Sequence, residues 1–348
     1  MKRPHSSKMV VASHGIETPG KISAICTLPT DTEKKVRFVA GTYEAAVNTI
    51  IVYAKEGANV ETYQEYRRLD VPCDVRHITS ISTSEVAVAF TDGFIRIYDV
   101  YADKGIQQIE EFQTSKNGAV NCLMYENERL YAGTEAGELI VHNFGTESKQ
   151  GKELVKYMAA VMGMCRIDDS SVACGQLTGS VVVAERTAGP LPVNYTVSTT
   201  IGITSITAHP VHEGLIGFGT EDGNVGFYDT QSRTRSPLFS VSSGPVWHVA
   251  FDPQRENFFY SSTDDGKLLE WDASDVDPAS LAVEGDRYRF ISSSLQSQVS
   301  IRTLLSASSS VNCFDFAHGR FITGLDGCQI NVIRIVPEEN VVLKARNH

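Results

Sequence analysis

Val246-Trp247-His248-Val249-Ala250-Phe251, then Phe258-Phe259-Tyr260-Ser261-Ser262, then Asp265-Gly266, then Lys267 to Trp271-Asp272: the fold is read from this stretch. It describes an apolar strand, a second short strand, a tight turn and a third strand that ends on an aromatic residue. Asp-Gly suits the turn because a tight hairpin needs positive φ, which glycine adopts without strain and aspartate tolerates. The same grammar returns at Thr91-Asp92-Gly93 before Ile95 to Tyr98-Asp99, and at Glu221-Asp222-Gly223 before Val225 to Tyr228-Asp229. Weaker copies run from Gly137 to His142, Gly179 to Ala184 and Gly327 to Val332.

Each turn glycine precedes its strand-end residue by the same offset, which from Tyr53 puts a first, glycine-free turn at Asn48. The first five of the intervals between landmarks match the ~40–45 residues of a WD-repeat blade. Seven landmarks predict an all-β, seven-bladed WD-repeat β-propeller that uses residues 1–348 as one domain. A doubly wound α/β fold would need long amphipathic helical windows, which the chain does not offer. Only Trp271-Asp272 carries the name-giving dipeptide. Tyr98-Asp99 and Tyr228-Asp229 are conservative variants, and His142-Asn143, Ala184-Glu185 and Val332-Ile333 have drifted. The opening Gly-His is missing, so the buried Asp-His-Ser-Trp network of strong repeats is expected to be incomplete in every blade.

A ring of blades must be closed by pairing a terminal strand with the far blade, which removes an exposed edge. Lys8-Met9-Val10-Val11-Ala12 is expected to do this as the outer strand of blade seven, in competition with Val341-Val342-Leu343. The last interval, from Gly266 to Gly327, is the long one. Val299 to Leu305 alternates as the outer strand of blade six, which leaves 273–298 as a long loop between the third and fourth strands of that blade. Its excess length and low density of strand formers suggest an appendage to the core, and as a serine-rich loop it is either a binding loop or a flexible insert.

The chain has 31 Lys and Arg against 42 Asp and Glu, a net charge of −11. An acidic surface repels phosphate backbones unless basic residues gather in one patch, and the longest basic runs are the pairs Lys2-Arg3, Lys34-Lys35 and Arg67-Arg68. Direct binding of nucleic acid is not expected. The most apolar run, Met158 to Cys165, is far too short to span a membrane. The stretch Met9 to Ala12 after Lys2-Arg3 is too short for a signal peptide. These readings place the chain in the nucleus or cytoplasm, where the sequon Asn194-Tyr195-Thr196 would be a chance match.

Chemistry-bearing residues dissolve into the repeat. The 7 cysteines include no C-x-x-C pair, which disfavours a disulfide framework and a thiolate metal site. Cys122 and Cys313 share an innermost-strand slot with Ser205, His248 and His77, and read as buried structural thiols. His209 and His212 resemble a metal pair in spacing but lack a third ligand nearby, so they read as a solvated loop. Asp92, Asp222, Asp265 and Asp326 occupy equivalent turn positions and read as turn formers. Gly217-Phe218-Gly219 misses the dinucleotide fingerprint, because Asp222 holds the place of the third glycine. No hydrolase elbow, P-loop or zincin motif occurs. No catalytic, cofactor-binding or metal-binding residue is therefore predicted, and no partner-contacting residue is assigned.

Four segments together go beyond a generic repeat. They are Val246 to Phe251-Asp252-Pro253, Ser262 to Trp271-Asp272-Ala273-Ser274, the serine-rich insert, and Ser310-Val311-Asn312 followed by Phe321-Ile322-Thr323-Gly324. They resemble the last two blades of the nucleoporin forty-three family, single-propeller WD-repeat subunits of the Y-shaped nuclear pore scaffold complex. The resemblance is most specific over 201–335. It implies a non-enzymatic scaffold subunit without cofactor that docks on other Y-complex nucleoporins. It further implies a place at the nuclear envelope, support of protein and mRNA transport, and kinetochore association in mitosis. Two other classes compete. A ubiquitin-ligase or chromatin adaptor of the cullin-four type favours W-D-x-R, but Trp271-Asp272 is followed by Ala273-Ser274. A propeller enzyme would need acids or metal ligands converging on the central channel.

Overall fold

The second and third strands of each repeat are short runs of aliphatic and aromatic residues. In Glu85–Phe90, the residues Val86 to Phe90 are all fully buried, and Ile95 to Tyr98 of Phe94–Asp99 are buried with little residual exposure. The outer strand Gln107–Gln113 is mostly exposed. That gradient is the signature of sheets stacked face to face, with buried middle strands and a wet outer edge. In the computed structural model, which describes residues 9–30, 36–55, 62–144, 151–185, 201–277, 286–292 and 294–337, seven antiparallel sheets form a seven-bladed β-propeller. Val341-Val342-Leu343 and the sequon at Asn194 lie outside the described residues.

The innermost strands are Lys21–Thr27, Val75–Ser80, Val120–Glu126, Val161–Arg166, Ile203–Ala208, Val246–Phe251 and Val311–Ala317. Each packs against the next, and the seventh returns to the first. In blade seven, Gln329–Pro337 pairs with Met9–Glu17 along its whole length, from Met9 opposite Pro337 to Glu17 opposite Gln329. In blade six, Lys267–Asp272 pairs with the outer strand Ser300–Ser306. The outer edge of blade five is split into Thr234–Arg235 and Phe239–Ser240.

The hydrophobic core is divided among the junctions between blades rather than gathered in one mass. Its buried clusters each join residues of two neighbouring blades, and one closes blade seven onto blade one through Ile322 and Ile330 against Ile22 and Phe38. A small residue in each second strand permits this approach. Gly324 lies opposite Cys313, and a Cβ there would collide with Ile22 of the next blade; at Gly133 it would come within 2.5 Å of Val161. Ala89 and Ser262 hold the same position in blades two and six.

The turns refine the expected landmarks. Gly93, Gly137, Gly179, Gly223 and Gly266 all adopt φ between +81° and +84°. In blade seven the positive-φ residue is Cys328, at +53°, and not Gly327. The pairing of Gly324 with Ile330 fixes this frame and shifts the turn by one residue. Asp326 therefore corresponds to Asp264 and Glu221, not to Asp92, Asp222 and Asp265. Asn48 is also no turn residue. It opens the third strand Asn48–Lys55 after a longer turn whose positive-φ residue is Glu44, at +47°.

The insert of blade six departs most from expectation. Its described residues are no appendage: a 3-10 helix, Asp286–Ile291, and a one-turn helix, Leu295–Gln298, deliver Phe290, Ile291 and Leu295 into the core between blades five and six. The Phe290 ring lies 4.8 Å from that of Phe227 and 5.2 Å from that of Phe251. Arg289 donates to the carbonyls of Ser274 and Val276 at 2.8 and 2.6 Å, which fastens the segment to its own start.

Candidate interaction face at the channel mouth

Every innermost strand carries a bulge at its second or third residue, where the register with its neighbour slips. The extra residues are Ser23, Arg76, Asn121, Met162, Thr204, Trp247 and Asn312. A bulge re-aims its side chain, and all seven face the axis, where they line a cavity of about 410 Å³. Four are short donors that tie one blade to the next. Ser23 Oγ donates to the Val75 carbonyl at 2.6 Å, Asn121 Nδ2 to Val161 at 3.2 Å and Asn312 Nδ2 to Ile22 at 3.0 Å; Thr204 Oγ1 likewise donates to Val246. The other three, Arg76, Met162 and Trp247, are long and alternate with them around the ring.

Trp247 is 38% exposed, and its Nε1 donates to Asp264 Oδ1 at 3.2 Å. Glu221 and Asp264 begin the turns of blades five and six, and Asp326 that of blade seven. Asp326 accepts from Asn312 Nδ2 at 2.5 Å and from the Tyr43 hydroxyl, so it also bonds blade seven to blade one. Asp92, Asp222 and Asp265 serve their turns: Asp92 accepts from Phe94 N, Asp222 from Thr220 Oγ1 and Asp265 from Thr263 Oγ1.

Below the mouth, His77 and His248 occupy the shared slot on the channel wall. Burial lowers both pKa values to about 4, and for His77 the proximity of His248 adds to the effect. His248 Nδ1 accepts from Phe314 N at 3.3 Å, whereas His77 Nδ1 is buried without a hydrogen-bond partner. Cys122 and Cys313 sit in the same slot with thiols pushed up by burial, that of Cys313 to about 12. All seven cysteines are free thiols. At the opposite mouth Asp315, whose pKa burial raises, accepts from Thr27 N at 2.6 Å and from Thr27 Oγ1 at 2.8 Å.

His209 is not in a solvated loop. It is buried, Nε2 bonds the Glu256 carbonyl at 2.8 Å, and Nδ1 accepts from Val211 N and His212 N. Both ring nitrogens are thus engaged in holding the loop. Among the described residues, no group of three or more His, Cys, Asp or Glu side chains is placed to hold a metal ion, and no helix is long and apolar enough to cross a membrane. In blade six Trp271 Nε1 donates to Ser261 Oγ at 3.0 Å, two members of the expected buried network.

The bulge residues and the exposed Trp247 were not singled out in the sequence. The sequence carried no signal for them, because one extra residue leaves the apolar pattern on either side intact.

No protein-family model matches the chain. Part of it is similar to nucleoporin Nup43 of Mus musculus, 29% identical over 107 residues, which is 30% of this chain and 28% of that protein. It is also similar to nucleoporin Nup43 of Homo sapiens, 28% identical over 100 residues, or 28% of this chain and 26% of that protein. The matched stretch thus spans little more than a quarter of the curated relatives.

Proposed function

We propose that this chain is a non-enzymatic scaffold subunit of the Y-shaped complex of the nuclear pore, where it docks on other nucleoporins and supports transport of protein and mRNA between nucleus and cytoplasm. The observation that carries this reading is the similarity to Nup43 in two mammals, joined to a single seven-bladed ring. A rigid ring offers loops on two faces and strands around its rim, so it can hold several partners at once without a reactive centre. The channel fits that role: its histidines are held neutral, its thiols are suppressed, and Asp326 is engaged in the junction of blades seven and one. Net acidity favours protein partners over bare nucleic acid. An association with kinetochores in mitosis belongs to the same proposal. Fluorescent tagging at the endogenous locus tests it: the proposal expects a continuous nuclear rim in interphase, and a diffuse cytoplasmic signal would overturn it.

A further inference from the structure

Among the residues lining the channel mouth, Arg76 of blade two stands with the carboxylates Glu44 and Asp74, and Trp247 of blade six stands across the ring from them. Trp247 of blade six stands between the turns of blades five and seven, and the side-chain bonds of Asp222 and Asp264 go to Thr220, Asn224 and Trp247. Among the described residues no Lys or Arg pairs with Glu221, Asp222 or Asp264. The cation at the mouth, Arg76, comes from blade two, three blades away round the ring. An exposed indole fixed by its Nε1 to a carboxylate that pairs with no Lys or Arg is a recognition element for a cation, which gains both the ring face and the adjacent negative charge. The indole is also large and half-desolvated, as anchors of protein contacts are.

We infer that this half of the channel mouth binds an extended segment of a partner protein by receiving one of its arginine or lysine side chains against Trp247. The cavity of about 410 Å³ admits a side chain with its flanking backbone. Met162 of blade four and the open axis receive the aliphatic part of the side chain. Asp264 holds the indole in place and adds charge beside it. The buried, unpartnered Nδ1 of His77 lies in the same cavity, on the side of blade two. This inference is independent of the nuclear pore reading, since any partner with a suitable basic segment satisfies it.

The two tryptophans allow a direct test on the full chain. Trp271 is fully buried, so acrylamide quenching of fluorescence reports Trp247. A short Gly-Ser peptide bearing arginine should shield Trp247 saturably, while the same peptide with glutamine or glutamate in place of arginine should not. Read by anisotropy of a labelled peptide, Trp247→Ala should weaken binding roughly tenfold or more, and Asp264→Asn, on an exposed turn, should weaken it without disturbing the fold. The inference is overturned if the arginine peptide leaves quenching unchanged, or if both variants bind it as the parent does, which would mark diffuse attraction to an acidic surface. It is also overturned if free spermine protects Trp247 as well as the peptide does, since the site would then take small cations rather than a protein segment.

Discussion

His142 is the last residue but one of the third strand of blade three, where blades two and five place Tyr98 and Tyr228 and blade six places Trp271. Its ring lies 4.6 Å from that of Phe112, and Nε2 shares a hydrogen bond with Thr114 Oγ1 at 3.1 Å. Burial lowers its pKa to about 4, against about 6.5 in an unfolded chain. The unfolded state therefore takes up the proton first, and stability is lost as pH falls from about 6.5 toward 4, by at most ~1.4 kcal/mol per pH unit for one ring. His77 and His248 act in the same direction. Replacing His142 with Tyr, the residue of the sister blades, should flatten the fall in melting temperature between pH 7 and pH 4.5. A slope equal to that of the parent would show that this ring is not held neutral. At this scale the sequence was a good guide to residue class and a poorer one to frame. The Asp-Gly turns were legible because positive φ selects glycine. Gly327 misled because a glycine was present one residue before the position that the strand register sets at Cys328.

At the scale of elements, the insert of blade six separates two accounts of what its length is for. Low density of strand formers made it look detachable, since periodicity says nothing about a loop that packs through isolated apolar residues. Yet Phe290, Ile291 and Leu295 are spaced so that one 3-10 turn and one helical turn bury all three against Phe227, Phe251 and Trp271. Phe290→Ala should cost ~3–5 kcal/mol, the usual penalty for a buried phenylalanine. Replacing 286–298 with a short Gly-Ser link should lower the melting temperature by more than the single substitution does. An unchanged melting temperature after the replacement would restore the view of a passive insert. The strands themselves were legible from their period, but the bulge in each innermost strand was not, because one extra residue leaves the apolar pattern on either side intact. That one residue is what turns Trp247 toward the axis and Ser23, Asn121 and Asn312 toward the next blade.

At the scale of the molecule, ring closure and function are the two claims. Met9–Glu17 supplies the outer strand of blade seven and pairs with Gln329–Pro337 over nine residues. Deleting residues 1–17 should expose that edge and lower the melting temperature by several degrees, whereas an identical melting curve would mean that closure rests on side-chain packing between blades alone. The proposed function was legible only through resemblance, because the scaffold role proposed needs no convergent catalytic set. The central claim is membership of the Y-shaped nuclear pore complex. Tagging the endogenous chain, digesting the extract with nuclease and quantifying the recovered proteins tests it most directly. The account predicts Y-complex nucleoporins in near-equal amounts to the tagged chain; their absence, with a cullin adaptor or chromatin subunit enriched instead, would contradict it.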